Sequence, residues 1–186
     1  ATFTNTGGNL FLSGSALFQN TVNFTQTAGN TDIGNGSFVN ANSFNNFGTY
    51  NHDGGTTNIH GGATLLNDSF YNHDGGTLTV HASGLFKNDF VNTISGGTVQ
   101  INAGGTLNGT GFASTTLTGG TLRVNGEMIQ TGVTINGGTL DGTGTVRSNI
   151  ANNGGTVGPG NSPGTLTVDG NFAQGPGGTL AIEIDS

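Results

Sequence analysis

The sequence predicts an all-β fold: a right-handed, single-stranded parallel β-helix (a β-solenoid) with about 21 residues per coil and roughly eight coils. Three observations predict it. Pairs of small residues recur along the whole chain at steps close to 21 residues. The residues after each pair alternate between polar and apolar, as in "TLTV" at 77–80, which is the period of a half-buried strand. Glycine and β-branched residues are also too frequent for stable helices.

The turns of the coil are marked by the small-residue pairs, each followed by Thr or Asn. These pairs stand at residues 7–8, 28–29, 54–55, 75–76, 96–97, 119–120, 137–138, 154–155 and 177–178. Because the period runs from one end to the other, residues 1–186 are predicted to form a single β-solenoid. Coils rich in Phe and Asn fill residues 1–118, and shorter coils rich in Gly and Thr fill residues 119–186. The right-handed sense follows the usual rule for parallel crossovers.

Residues one coil apart in a parallel β-helix stack at about 4.8 Å, so similar residues should recur in columns. Two apolar columns are predicted to fill the core. The first consists of Leu12, Ile33, Ile59, Val80 and Ile101, and the second of Leu17, Phe38, Leu65, Phe86 and Leu107. Asn67 with Asn88, and Asn51 with Asn72, are predicted to form amide ladders in which side chains bond along the stack.

The composition restricts the partners of the chain. It has a formal net charge of −7 and only three strong cations, Lys87, Arg123 and Arg147. Nucleic-acid binding needs a basic surface, so no nucleic-acid partner is expected. No apolar run approaches the roughly 20 residues of a membrane-spanning helix, so no direct membrane insertion is expected. The chain has no cysteine, which excludes disulfides and thiol chemistry.

The C-terminal part carries three specific strings. They are "GTLDGTGTV" at 138–146, "VGPGNSPGTLTVDGNF" at 157–172 and "GGTLAIEI" at 177–184. With these strings, residues 137–185 resemble the passenger-associated transport repeat (autotransporter-associated β-strand repeat) of bacterial autotransporters. The resemblance implies a β-helical passenger domain that is secreted or displayed on the outer membrane, in a family where such repeats are linked to secretion and folding. Residues 1–118 contain no motif that names a subfamily.

All four histidines lie in two neighbouring copies of one repeat, "YNHDGGT", which begins at residues 50 and 71. Residues 21 apart should stack, and two imidazoles with a carboxylate alongside suit a divalent transition metal. The candidate metal ligands are His52, His73, Asp53 and Asp74. Duplication of one coil with all its neighbours explains the same pattern with no cofactor at all.

An enzyme is not expected. Polysaccharide lyases and hydrolases with a β-helix fold need clustered carboxylates, or carboxylates with Arg or Lys, in a cleft. Here the acids are scattered one or two per coil, and Lys87 beside Asp89 is the one expected contact between a cation and an acid. Tyr50 and Tyr71 should stack, either as an aromatic pair presented to a sugar ring or as part of the ladder between coils.

The sequence thus predicts an extracellular structural or adhesive β-solenoid, secreted or displayed at the bacterial cell surface. Its expected partners are copies of itself, in end-to-end or lateral assembly, and surface glycans or proteins of host or neighbouring cells. Open strands at the two ends make end-to-end filaments a natural consequence. A carbohydrate-binding or carbohydrate-active β-helix, of the lyase or tailspike kind, is the alternative, and a metal-binding module is a third hypothesis.

Overall fold

The computed structural model describes residues 2–34, 42–160 and 164–183, and within them it contains strands and no helix. All strands belong to one sheet, and every strand pair is parallel. The strands are β1 (Thr2–Leu12), β2 (Leu17–Asn20), β3 (Asn23–Ile33), β4 (Ser43–Asn46), β5 (Thr49–His52), β6 (Thr56–Ile59), β7 (Thr64–Asn67), β8 (Phe70–His73), β9 (Thr77–Val80), β10 (Leu85–Asn88), β11 (Val91–Ile94), β12 (Thr98–Ile101), β13 (Thr106–Asn108), β14 (Ser114–Leu117), β15 (Thr121–Val124), β16 (Glu127–Ile135), β17 (Thr139–Gly142), β18 (Thr145–Asn152), β19 (Thr156–Pro159), β20 (Thr167–Val168), β21 (Phe172–Gln174) and β22 (Thr179–Leu180).

The strands stack into three faces, A, B and C, which the chain visits in turn. Face A holds the strands that follow the small-residue pairs: the ends of β1 and β3, then β6, β9, β12, β15, β17, β19 and β22. Face B holds β2, β4, β7, β10, β13, the starts of β16 and β18, and β20. Face C holds the starts of β1 and β3, then β5, β8, β11, β14, the ends of β16 and β18, and β21. The predicted parallel β-solenoid is therefore confirmed, and its right-handed sense stays a prediction.

The core is built from columns of inward side chains. Most strands of the middle coils alternate between partly exposed and buried residues, as in β6, β7 and β9. The first predicted column pairs in register throughout and its members are buried: Leu12, Ile33, Ile59, Val80 and Ile101. The structure continues this column with Val124.

The second predicted column is correct in the middle coils and wrong at its N-terminal end. Leu65, Phe86 and Leu107 pair in register and are buried. Leu17 instead points outward with 58% of its surface exposed, and Phe18 faces inward over Phe44. The step between these two coils is 26 residues, which pairs Phe18 with Phe44; Leu17 is one residue out of this register, so its side chain lies on the opposite face. The predicted partner Phe38 lies outside the described residues.

In six of the nine pairs the second glycine has a positive φ that the turn requires: Gly29, Gly55, Gly76, Gly97, Gly120 and Gly138. At Gly76 φ is +71°, a left-handed conformation that residues with a Cβ adopt at a cost. A Cβ on Gly76 would also stand 2.4 Å from the carbonyl oxygen of Gly55, one coil away. The glycine pair at 75–76 thus lies where a side chain would collide with the backbone of the neighbouring coil.

We expect Gly76→Ala to lower the free energy of unfolding by about 2 kcal/mol or more, because it adds left-handed strain and a contact with the Gly55 carbonyl. Gly132→Ala is the matched control, since Gly132 has no atom within 4 Å of an added Cβ. Urea denaturation followed by circular dichroism measures both. Equal midpoints for the two variants would contradict this account of the turn.

Buried asparagines form a continuous ladder on face B. The Nδ2 of Asn20 donates to the Oδ1 of Asn46 at 2.7 Å, Asn46 to Asn67 at 2.6 Å, and Asn67 to Asn88 at 2.7 Å. Asn88 then donates to the Oε1 of Gln130 at 3.0 Å. An amide carries both donors and an acceptor, so it repeats along a stack without leaving polar atoms unpaired. The predicted Asn67–Asn88 ladder is confirmed.

The second predicted amide ladder lies on the outside of face C. The Nδ2 of Asn72 donates to the Oδ1 of Asn51 at 2.9 Å, and both residues are partly exposed. The two ladders therefore have the same chemistry in different surroundings, which makes them a matched pair for mutation.

Asn67→Asp should lower the free energy of unfolding at pH 7 by about 3 kcal/mol or more, because it removes buried donors and buries a carboxylate against carbonyl oxygens. Asn72→Asp, on the outer ladder, should cost less than about 1 kcal/mol. Both values come from urea denaturation. A cost as small at position 67 as at position 72 would show that the buried ladder does not stabilise the fold.

Candidate functional site: the two histidine pairs

His52 and His73 form an inward pair on face C. They end β5 and β8, pair in register, and are fully buried. Their Nδ1 atoms are 2.8 Å apart, and the hydroxyl of Tyr71 lies 3.3 Å from each of them. The stacking predicted for these histidines is present, but the rings face the core.

The short distance between the two Nδ1 atoms fixes the protonation of the pair. A hydrogen bond between them requires one Nδ1 to carry its proton and the other to accept it, so the two neutral rings are different tautomers. The Nε2 atoms of both rings are buried and have no hydrogen-bond partner among the described residues. One Nε2 is then an unpaired donor and the other an unpaired acceptor.

Burial keeps both imidazoles neutral. It lowers the pKa of His52 to about 3, with the nearby charge of His73 acting in the same direction and a backbone group of Gly54 acting against it. Burial also lowers the pKa of His73 to about 4, opposed by backbone groups of Gly76 and Thr98 and by the charge of Asp74. Near neutral pH the core therefore holds two uncharged rings.

The candidate metal set combines buried imidazoles with exposed carboxylates, and metal binding by it stays a prediction. Asp53 and Asp74 each follow the strand-ending histidine by one residue, and both are exposed on the outer side of the turn. Burial raises the pKa of Asp53, and the nearby charge of Asp74 raises it further. Across residues 2–34, 42–160 and 164–183, no group of three or more His, Asp or Glu residues is arranged to hold a metal ion.

His60 and His81 form the outward pair. Their rings are parallel, with centroids 4.8 Å apart and planes inclined by 4°. The Nε2 of His60 lies 3.4 Å from the Oδ1 of Asp32, and the Nε2 of His81 lies 3.2 Å from the Oδ1 of Asn58. Burial and the charge of His60 lower the pKa of His81, while Asp32 raises it. Only this outer pair borders the surface.

A cavity of about 390 Å³ lies beside the outward pair. Its walls include Phe11, Asp32 and His60. Sequence reasoning missed Phe11 and Asp32 as site residues. A signal for them was present, because the two are 21 residues apart and therefore stack on the outer side of face A.

Tyr50 and Tyr71 do not form a surface aromatic pair. Both are fully buried, with ring centroids 5.0 Å apart. The hydroxyl of Tyr50 lies 2.9 Å from the Oγ1 of Thr57 and 3.1 Å from the Oε1 of Gln26. Burial raises the pKa of both phenols. Of the two roles considered for this pair, the structure shows packing between coils.

All three strong cations pair with acids, whereas the sequence predicted this only for Lys87 beside Asp89, a contact that the structure contains. Arg123 makes two hydrogen bonds to the carboxylate of Asp141, at 2.8 and 2.7 Å. Arg147 bonds to Glu127 at 2.6 Å and to Asp169 at 2.8 Å. The coils shorten in this region, so Asp141 is 18 residues from Arg123 and a constant period of 21 does not find it. The partners of Arg147 are 20 and 22 residues away.

No helix that could cross a membrane is present in the described parts of the chain. Comparison with known protein families, curated proteins and solved structures gives no match. The likeness of residues 137–185 to the autotransporter passenger repeat therefore depends on the strings in the sequence.

Acid should destabilise the fold through the inward histidines. Both pKa values are lower in the folded chain than the ordinary 6.5, so the unfolded chain binds more protons below that pH. Stability is fully present above pH 6.5 and falls as the pH drops toward about 4, by up to about 1.4 kcal/mol per pH unit for each histidine. Urea midpoints measured between pH 7 and pH 5 test this.

The matched control is the double variant His52→Gln/His73→Gln. Gln26 occupies the same inward column and donates to the carbonyl oxygens of Gly29 and Thr56, so glutamine is compatible with this position. The variant should show a much smaller fall of the urea midpoint from pH 7 to about pH 5, because the carboxylates stay ionised and only His81 keeps a lowered pKa. A wild-type profile as flat as that of the variant would contradict the role of the buried pair.

Proposed function

We propose that the chain is a rigid segment of an extracellular, structural or adhesive β-solenoid of a bacterial surface or secreted protein, and that it stacks end to end on copies of itself. The observation that supports this most directly is the chemical match between the two ends of the inward columns. Two inward columns of face C and one of face A begin and end with a similar type of side chain, and among the described strands β1, β21 and β22 each pair on one side only.

The match is clearest on faces C and A. The column that begins with Phe3 ends with Phe172, and the column that begins with Asn5 ends with Gln174. On face A the column that begins with Leu10 ends with Leu180. A second copy would therefore place aromatic on aromatic, amide on amide and leucine on leucine.

The end surfaces are also apolar and exposed. At one end Phe3 is 44% exposed; at the other Leu180 is 48% and Ile182 is 65% exposed. Phe172 and Leu180 line a groove of about 200 Å³ at that second end. Because the two ends are different surfaces that match each other, their contact is head-to-tail and continues into a filament. Roughly eight coils at about 4.8 Å give a repeat of about 40 Å.

The extracellular location is supported by the sequence. The chain is acidic and lacks cysteine, and residues 137–185 resemble a repeat of secreted passenger domains. A non-enzymatic role is proposed because the three strong cations each pair with acids along the outer faces. The ion pairs of Arg123 and Arg147 link neighbouring coils, and each such exposed pair adds little to stability.

Negative-stain electron microscopy of the purified protein tests the assembly. We expect filaments with an axial repeat of about 40 Å. The double variant Phe172→Lys/Leu180→Lys should give single short particles, because it places charges in the apolar end groove. Phe112→Lys is the control, since Phe112 is 81% exposed and does not line that groove. Single particles from the wild-type chain at all concentrations would refute end-to-end stacking.

A further inference from the structure

The cavity beside the outward histidines combines an exposed aromatic ring with a fixed carboxylate. Phe11 is 62% exposed although it lies directly opposite Asp32 on the neighbouring strand. Neighbouring outward side chains on adjacent parallel strands stand about 4.8 Å apart. One small ligand in the cavity could therefore contact both the ring of Phe11 and the carboxylate of Asp32. The cavity volume of about 390 Å³ lies in the range of small-molecule sites.

The carboxylate of Asp32 is held in place by its neighbours. Its Oδ2 accepts from the Nδ2 of Asn30 at 2.5 Å, and its Oδ1 accepts from the Nδ2 of Asn58 at 2.9 Å and from the Nε2 of His60 at 3.4 Å. Asn58 is held in turn by His81. A carboxylate offers about four lone-pair positions, and these contacts use three of them. Oδ2 can therefore accept one more hydrogen bond, from a ligand, without any movement of the Asp32 side chain.

His60 is a second polar residue of the same wall. Its Nε2 lies 3.4 Å from the Oδ1 of Asp32 and donates to the carboxylate. A ligand that suits these groups donates a hydroxyl proton to Asp32 and lays an apolar face on Phe11. The net charge of −7 and the carboxylate itself disfavour an acidic ligand.

We propose that this cavity is a binding site for a neutral glycan, with one sugar ring stacked on Phe11 and a hydroxyl group donating to Asp32. The proposal rests on the adhesive role proposed for the rod and supplies the chemical class of its ligand. His60, Asn30 and Asn58 are positioning residues that hold the carboxylate. A metal ion is the less suitable occupant, since the described residues contain no group of three ligands for it and the exposed ring of Phe11 would contribute nothing to its binding.

Saturation-transfer NMR tests the site with cellotriose, maltotriose and tri-N-acetylchitotriose, each added separately. We expect transfer to at least one of these trisaccharides. Phe11→Ala should weaken its binding about fivefold, which corresponds to about 1 kcal/mol, the size of an aromatic stacking contact. Asp32→Asn should weaken binding too, since a hydrogen bond to a neutral amide is weaker than one to a carboxylate.

Matched controls separate the site from general surface effects. Phe112→Ala removes another exposed phenylalanine and Asp53→Asn another exposed aspartate, and neither residue lines the cavity. Both controls should bind as the wild type does. Phe11→Trp should restore or increase the binding lost in Phe11→Ala, which a variant that merely damaged the fold would not do. Thermal unfolding of each variant checks that the fold is intact.

Three results would overturn the proposal. They are no transfer to any of the three sugars, unchanged binding by both Phe11→Ala and Asp32→Asn, and a response of the His60 and His81 ring signals to ZnCl₂ with none to the sugars. The measurements use the non-assembling Phe172→Lys/Leu180→Lys background, whose changes lie at the far end groove. Failure of glycan binding then leaves filament formation untouched, and failure of filament formation leaves the glycan test valid.

Discussion

Each coil of this protein has to place its backbone directly over that of the coil before it. Parallel strands bond only when they lie about 4.8 Å apart, so every side chain stands between two others at the same distance. The glycine pairs allow this approach, because an added Cβ at Gly76 would meet the Gly55 carbonyl at 2.4 Å. The columns, the turns and the chemical match between the two ends all depend on this one spacing.

The same spacing decides which polar groups the core accepts. A buried amide has donors for the coil on one side and an acceptor for the coil on the other, so the asparagine ladder runs from Asn20 to Gln130. His52 and His73 instead bond to each other through their Nδ1 atoms. Their Nε2 atoms have no partner among the described residues, and the next coil has Ile94 at this position. The pair stabilises the stack only while it stays uncharged.

Strand alternation gives the two histidine pairs different roles. His52 is the last residue of β5 and faces the core, whereas His60 follows the buried Ile59 and so lies on the outer side. The inner pair is a packing element that is sensitive to protons. The outer pair helps to hold Asp32 beside Phe11 and a cavity, which is why the glycan site is proposed there. Filament growth at the ends and ligand binding on the side would then use separate surfaces of one rod.

The sequence by itself determined the fold class, the apolar column from Leu12 to Ile101 and both amide ladders. The reason is that the repeat period and the alternation of polar and apolar residues are visible in the order of the residues. Only the tertiary structure decided the register where coil length varies. It replaced Leu17 by Phe18 in the core and paired Arg123 with Asp141. It also showed that the imidazoles of His52 and His73 are buried while Asp53 and Asp74 are exposed. The physical reason is that turns absorb changes in coil length, and the position of a residue in its turn decides whether its side chain faces the core or the solvent.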